Sequence, residues 1–276
     1  MAQFKTLMDV FKLLEKSNCR KCSEKTCMVF AAEVFNGNRA LAECPQIPAE
    51  ISRGYSQQPK KQKAVDQDRE NQLAGLKARI MKMDLQETAS RIGAVYDGTR
   101  LIMKIMGKTV EVDSFGKVAT QIHTNPQVMV PLFNYLLTCK GTPVEGRWVP
   151  LPELPSGKDW YRLFGQTCEK PMKKVADTYP DLFADLVEIF NGQPVEGHYQ
   201  SDVALVLHPL PLVPILICYW KPDDGLESDL NLYFDGSAED NLAIEGIYSL
   251  ATGITWMFEK LAIRHGGALK ESARED

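Results

Sequence analysis

The sequence predicts an α+β protein in two parts: a small helical module tethered to a mixed α/β domain with an antiparallel sheet. Three observations predict it. Four of the seven cysteines crowd into residues 19–44. A polar stretch rich in Gln and Lys, about 52–70, then separates that region from the rest. Beyond it, runs of alternating period mix with helical 3.6-residue patterns, each broken by Gly, Pro or Asn. The expected division is 1–51 for the cysteine module, 52–70 for a linker, 71–264 for the α+β domain and 265–276 for a polar tail. A solvated helix extension is the alternative for the linker.

In the first part, Phe4, Leu7, Met8, Phe11 and Leu14 fall on one face of an amphipathic helix. Thr26 is an N-cap for a second helix, Met28 to Phe35, which Gly37 closes. Asn38 is expected to cap one further turn before Cys44-Pro45. In the second part, Leu73, Leu76, Ile80 and Met83 mark a helix, and Thr88 to Ile92 a further turn. Arg100 to Val112 reads as a hairpin around Gly107-Lys108, with Leu101, Met103 and Ile105 alternating. Val128 to Cys139 is helical, and Pro180 opens another helix that Asn191-Gly192 closes after Phe190. Val203 to Leu207, Val213 to Trp220 and Leu230 to Phe234 read as strands. Ala238 to Leu261 is a long closing helix, weakened by Gly246 and Gly253.

With 32 basic and 36 acidic residues the chain carries a formal charge of -4, against binding nucleic acid through a global basic field. No apolar run approaches the roughly 20 residues of a membrane-spanning helix. The N-terminus mixes Lys5, Asp9 and Lys12 into its apolar residues, unlike a secretory signal. A cytoplasmic protein with no nucleic-acid or membrane partner is expected.

An odd number of cysteines, four of them within 26 residues, does not read as a disulfide framework. Cys19, Cys22, Cys27 and Cys44 follow the pattern C-x2-C-x4-C-x16-C-P. Three thiolates on one compact loop, with a fourth returning after a helical excursion, suit an iron–sulfur cluster, here a [4Fe–4S] cubane. The helix after Cys27 presents free N–H groups and its positive end to an anionic metal–thiolate centre. Zinc is the competing metal, but its four-cysteine sites usually pair two C-x2-C knuckles. Cys139, Cys168 and Cys218 read as buried or incidental thiols.

Asn18-Cys19-Arg20-Lys21-Cys22, Thr26 to Ala32, Gly37 and Cys44-Pro45 resemble the small four-cysteine [4Fe–4S] domain of two protein families. These are the large subunit of corrinoid iron–sulfur proteins and the cluster subunit of ion-pumping ferredoxin oxidoreductases. The likeness covers about 50 residues and implies all four thiolates as cofactor and metal ligands. That domain usually carries glycine directly after each of the first two cysteines, where this chain has Arg20 and Ser23. The remaining chain resembles a family of unknown function from anaerobic bacteria and archaea. That looser likeness lies in Gly146 to Trp148, Leu151 to Leu154, Trp160-Tyr161, Phe164 and the strand–strand–helix ending. It carries over no catalytic residues.

Lys16, Arg20, Lys21 and Lys25 surround the cluster loop, either as an ordinary solvated surface or as a basic collar for an acidic electron carrier. Trp148, Trp160, Tyr161 and Phe164 read as core or lid packing rather than a ligand platform. His123 and His208 read as structural or exposed. Asp223, Asp224, Glu227 and Asp229 form an acidic loop between strands, with Asp235 beyond; a divalent-metal site is the alternative there. No phosphate-binding, dinucleotide-binding or nucleophile-elbow motif occurs.

These readings combine into an iron–sulfur redox accessory protein that passes single electrons to or from a partner. The partner expected is an acidic carrier such as ferredoxin or a corrinoid protein, in corrinoid or one-carbon metabolism. Two alternatives stand beside it. One is a cluster-dependent enzyme with its active site in the α+β domain. The other is a binding protein whose cluster is structural or oxygen-sensing.

Overall fold

The computed structural model describes residues 4, 6–55, 61–121, 126–179 and 181–265. The chain divides into two units, Met1–Gln72 and Leu73–Asp276.

Unit 1 opens with α1, Leu7–Leu13, whose Thr6 cap and Asp9 satisfy each other's backbone N–H groups in a capping box. The buried face differs from the sequence expectation. Val10, Phe4 and Leu14 are buried, whereas Met8 is 46% exposed. Phe4 and Leu14 lie outside the helical residues, so helical spacing does not relate them to Met8. Phe4 instead stacks on Tyr55 with ring centroids 4.4 Å apart. Next come α2, Cys27–Phe35, a 3-10 turn at Leu41–Glu43, and α3, Ala49–Arg53. Ala40, not Asn38, precedes that turn, and Glu43 accepts the Ala40 N–H at 2.7 Å. Asn38 instead closes α2, donating its N–H to Glu33 while Gly37 takes a positive φ.

Helix α4, Lys61–Ile80, occupies the second half of the segment expected as a linker, and the division between units falls within it. Residues 56–60 of that segment lie outside the described residues, as do His123, Pro180 and the tail from 266.

In unit 2, α5, Leu85–Ile92, leads into an antiparallel meander. Its strands are β1, Val95–Tyr96; β2, Arg100–Ile105; β3, Lys108–Asp113; and β4, Val118–Thr120. Leu101, Met103 and Ile105 are buried in alternation, as a strand with one core face requires. Helix α6, Pro126–Thr138, follows.

A second antiparallel sheet has the order β5-β9-β8-β7-β6: β5 is Trp148–Pro150, β6 Gln193–Pro194, β7 Val203–Leu210, β8 Val213–Trp220 and β9 Asp229–Asp235. The domain therefore holds two sheets where one was expected. Strand β7 runs past its expected end at Leu207, because a register shift between Leu207 and Leu210 absorbs His208-Pro209. Strand β8 is buried on both faces. Ile215 and Ile217 join the main core, while Leu216 and Cys218 pack with Ala204 and Val206 on the other side.

Between β5 and β6 the chain forms α7, Tyr161–Phe164, a π-helical turn at Gly165–Glu169, α8, Lys170–Thr178, and α9, Leu182–Phe190. Asn191 ends α9 in the left-handed conformation, as its Asn-Gly signal indicated. The closing helix is split into α10, Ala238–Asn241, and α11, Ile244–His265. The break is tied down by buried Asn241, whose side-chain amide donates to the Thr142 and Leu212 carbonyls.

Candidate metal centre

The cysteine loop runs from the end of α1 to the start of α2, and its backbone is unusual. Lys16, Asn18, Arg20 and Ser23 all have positive φ, four of the nine such non-glycine residues among those described. Arg20 and Ser23 stand where the related domain usually has glycine, at φ 59° and 67°. The local turn needs the left-handed conformation there, and this chain holds it with side chains that bear a steric cost of about 1 kcal/mol or more each.

Hydrogen bonds hold the loop. Asn18 donates its backbone N–H to Cys27 Sγ at 3.4 Å, and its Oδ1 accepts the Cys27 N–H at 2.8 Å. Thr26 Oγ1 accepts the Val29 N–H at 3.2 Å, so the expected N-cap is present. Arg39 joins the distant pieces. It donates to the Cys22 carbonyl at 2.8 Å and forms ion pairs with Glu24 and Glu43, each at 3.2 Å. Asn18 and Arg39 are positioning residues that sequence reasoning missed. An Asn directly before a candidate ligand cysteine was a usable signal, since Asn tolerates positive φ and accepts backbone N–H groups. Arg39 left no signal, because its partners come together only in the fold.

Cys19, Cys22, Cys27 and Cys44 line one small cavity, together with Ser17, Asn18 and Gln46. Cys19 is exposed, Cys22 and Cys27 are intermediate, and Cys44 is buried. The Lys21 N–H, the Ser17 hydroxyl and the Lys21 charge lower the Cys19 thiol below its ordinary range. Burial raises Cys44, and the nearby Cys22, Cys19 and Cys27 raise it further. Four thiolates facing one another repel, and a cationic metal core among them reverses that sign. The donor set thus fits an iron–sulfur group. Among the described residues, no three His, Cys, Asp or Glu side chains form a group that could hold a single metal ion. The four thiols share the lining of one small cavity instead.

The other cysteines lie elsewhere. Cys139, Cys168 and Cys218 are buried in unit 2, and burial raises all three thiols. Phe164 packs edge-on to Phe234, Trp160 lies 5.0 Å from Tyr248, and Tyr161 is exposed. The acidic loop connects β8 to β9, while Asp235 turns inward. Asp235 is fully buried and accepts the N–H groups of Glu145, Gly146 and Ser237 and the Ser237 hydroxyl. His208 is half-buried, and burial lowers its pKa. No helix among the described residues is long and apolar enough to cross a membrane.

Fold and site together define a helical four-thiol module followed by an α+β domain. Residues 84–257 match the family described as "Domain of unknown function (DUF3786)", and the chain belongs to it. Residues 14–46 match the family described as "Putative Fe-S cluster", which supports an iron–sulfur cofactor. The same region is similar to the gamma subunit of the acetyl-CoA decarbonylase/synthase complex. Identity is 48% over 42 residues with the Methanothermobacter thermautotrophicus protein, covering 15% of this chain and 9% of that one. With the Methanopyrus kandleri protein it is 44% over 50 residues, covering 18% and 11%. The chain thus spans about a tenth of the length of the curated relatives it matches. No solved structure is a significant match to it.

Proposed function

We propose that Cys19, Cys22, Cys27 and Cys44 hold a [4Fe–4S] cluster, and that the protein passes single electrons to or from a partner. The observation that carries this is the gathering of four thiols around one cavity, in a loop ringed by exposed Lys16, Arg20, Lys21 and Lys25. When bound, the cluster supplies one-electron redox chemistry. The chain's own residues set the conditions. N–H groups aimed at sulfur, from Asn18 to Cys27 and from Lys21 to Cys19, disperse thiolate charge and favour the more negative, reduced state. Arg39 and Asn18 hold the loop so that those donors stay in place. Similarity to the decarbonylase/synthase gamma subunits supports a one-carbon setting with a corrinoid protein as partner. The exposed basic residues of the loop are what favour an acidic carrier such as ferredoxin as the other partner.

Protein purified without oxygen should contain about four irons and four sulfides per chain, and dithionite should bleach its visible band and produce an EPR signal. Stoichiometric zinc without iron after reconstitution would overturn the cluster. Changing Arg20, Lys21 and Lys25 to Gln should slow reduction by an acidic ferredoxin at low salt and spare reduction by small neutral mediators. The difference should fade as the Debye length falls to about 8 Å at physiological salt. A rate indifferent to both salt and substitution means that no acidic carrier docks at the collar.

A further inference from the structure

Unit 2 contains a cavity of about 470 Å³ that the proposed electron transfer does not use. Its volume lies within the roughly 300–1,000 Å³ typical of small-molecule sites. The walls are apolar, built by Ile105, Leu132, Phe190, Leu210, Ile254 and Met257 from five different elements. All the charged residues on its lining are cationic: Lys108, Lys260 and Arg264. Cations in the last turn of a helix such as α11 are ordinary, because they offset its dipole. Lys108 is different. It begins β3, and that strand's turn is brought here by the Met106 N–H donating to the His208 carbonyl at 2.8 Å. Among the described residues, no carboxylate pairs with any of the three.

Gly253 is a further feature of the lining. It lies inside α11, where glycine destabilises a helix by roughly 0.5–1 kcal/mol relative to alanine. It lies against α6: the nearest atoms a Cβ there would meet are the Gln127 Cβ at 3.5 Å and the Gln127 carbonyl oxygen at 3.7 Å, ordinary contact for a methyl group. We propose that this cavity binds an amphipathic anion, with its apolar body between α6, α9 and α11 and its carboxylate or phosphate head at Lys108, Lys260 and Arg264.

The test displaces a fluorescent anilinonaphthalene sulfonate from the full chain with dodecanoate, dodecyl phosphate and dodecyltrimethylammonium, all below micelle formation. One dodecanoate or dodecyl phosphate per chain should displace the dye, the tighter of the two naming the head group, and the cation should not compete. Lys260→Gln with Arg264→Gln should weaken both anions about tenfold, as loss of two half-solvated ion pairs implies. Gly253→Leu, which adds bulk between α11 and α6 at the cavity lining, should weaken binding while circular dichroism stays that of the parent. Equal competition by the cation would overturn the proposal, as would unsaturable uptake. So would anion affinity unchanged in the double charge variant, whose exposed positions should leave folding intact even if Gly253→Leu does not fold.

Discussion

Unit 1 gathers its described core from nine buried residues, one of them the ligand candidate Cys44, and spends much of its length in loops. Unit 2 closes a continuous core across two antiparallel sheets and several helices, with fully buried Phe133, Tyr135, Phe164, Phe234 and Phe258 among many aliphatic side chains. Small cores seldom stabilise a domain unaided, whereas a metal centre can supply the missing free energy. In unit 1 the strained loop is held around thiols, and in unit 2 polar groups are satisfied by the protein itself. Among the described residues, no buried side-chain nitrogen or oxygen lacks a partner. Order in the first unit should therefore depend on what the thiols hold, and order in the second on burial.

The largest expected effect breaks only the first side of that comparison. Cys27→Ala removes one thiolate and the sulfur that accepts the Asn18 N–H. It should lose or convert the cluster and loosen unit 1, leaving the cooperative melting of unit 2 unchanged. Iron analysis with calorimetry reads both. A joint loss of both transitions would show that the units are not independent.

Asp235→Asn addresses the other side. The amide replaces a buried carboxylate that accepts four hydrogen bonds, and about 3 kcal/mol of unit 2 stability should go, with iron retained. Burial by itself would raise this carboxyl, but the Ser237 hydroxyl and the surrounding N–H groups hold it below its ordinary range. A carboxylate depressed in the folded state stabilises fully above its unfolded value of about 3.9, and that contribution is lost as pH falls below this value and through the lower folded one. Thermal melts of parent and variant should therefore converge at low pH.

Replacing Cys139, Cys168 and Cys218 together by Ala sharpens the division of the thiols. Iron content should stay at the parent value, while unit 2 loses about 1 kcal/mol for each packed sulfur removed. Iron lost from a folded variant would show that the seven cysteines divide differently.

The smallest effect runs the other way. Arg20→Gly and Ser23→Gly relieve left-handed backbone strain and should each stabilise unit 1 by up to about 1 kcal/mol, partly offset by extra freedom in the unfolded loop. Slower loss of iron to a chelator is the readout. Faster loss would mean that the native side chains contribute more than their backbone strain costs.

Spacing along the chain was enough to single out the four cysteines, the Thr26 cap and the Asn191-Gly192 stop, because each is a local arrangement of neighbouring groups. The hairpin of β2 and β3 was equally legible, since alternation with period two needs no distant partner. Elements without a local signal were missed: the short strands β1, β4, β5 and β6, and the π-helical turn at Gly165–Glu169. The two-residue strands β1 and β6 persist only by pairing with longer ones. Tertiary structure alone decided that Val10 rather than Met8 faces inward, that the closing helix breaks at Asn241, and that Arg39 ties Cys22 to the approach to Cys44. It also decided that Lys108, Lys260 and Arg264 line one cavity. Those outcomes depend on contacts between residues far apart in sequence, and such contacts leave no periodicity to read.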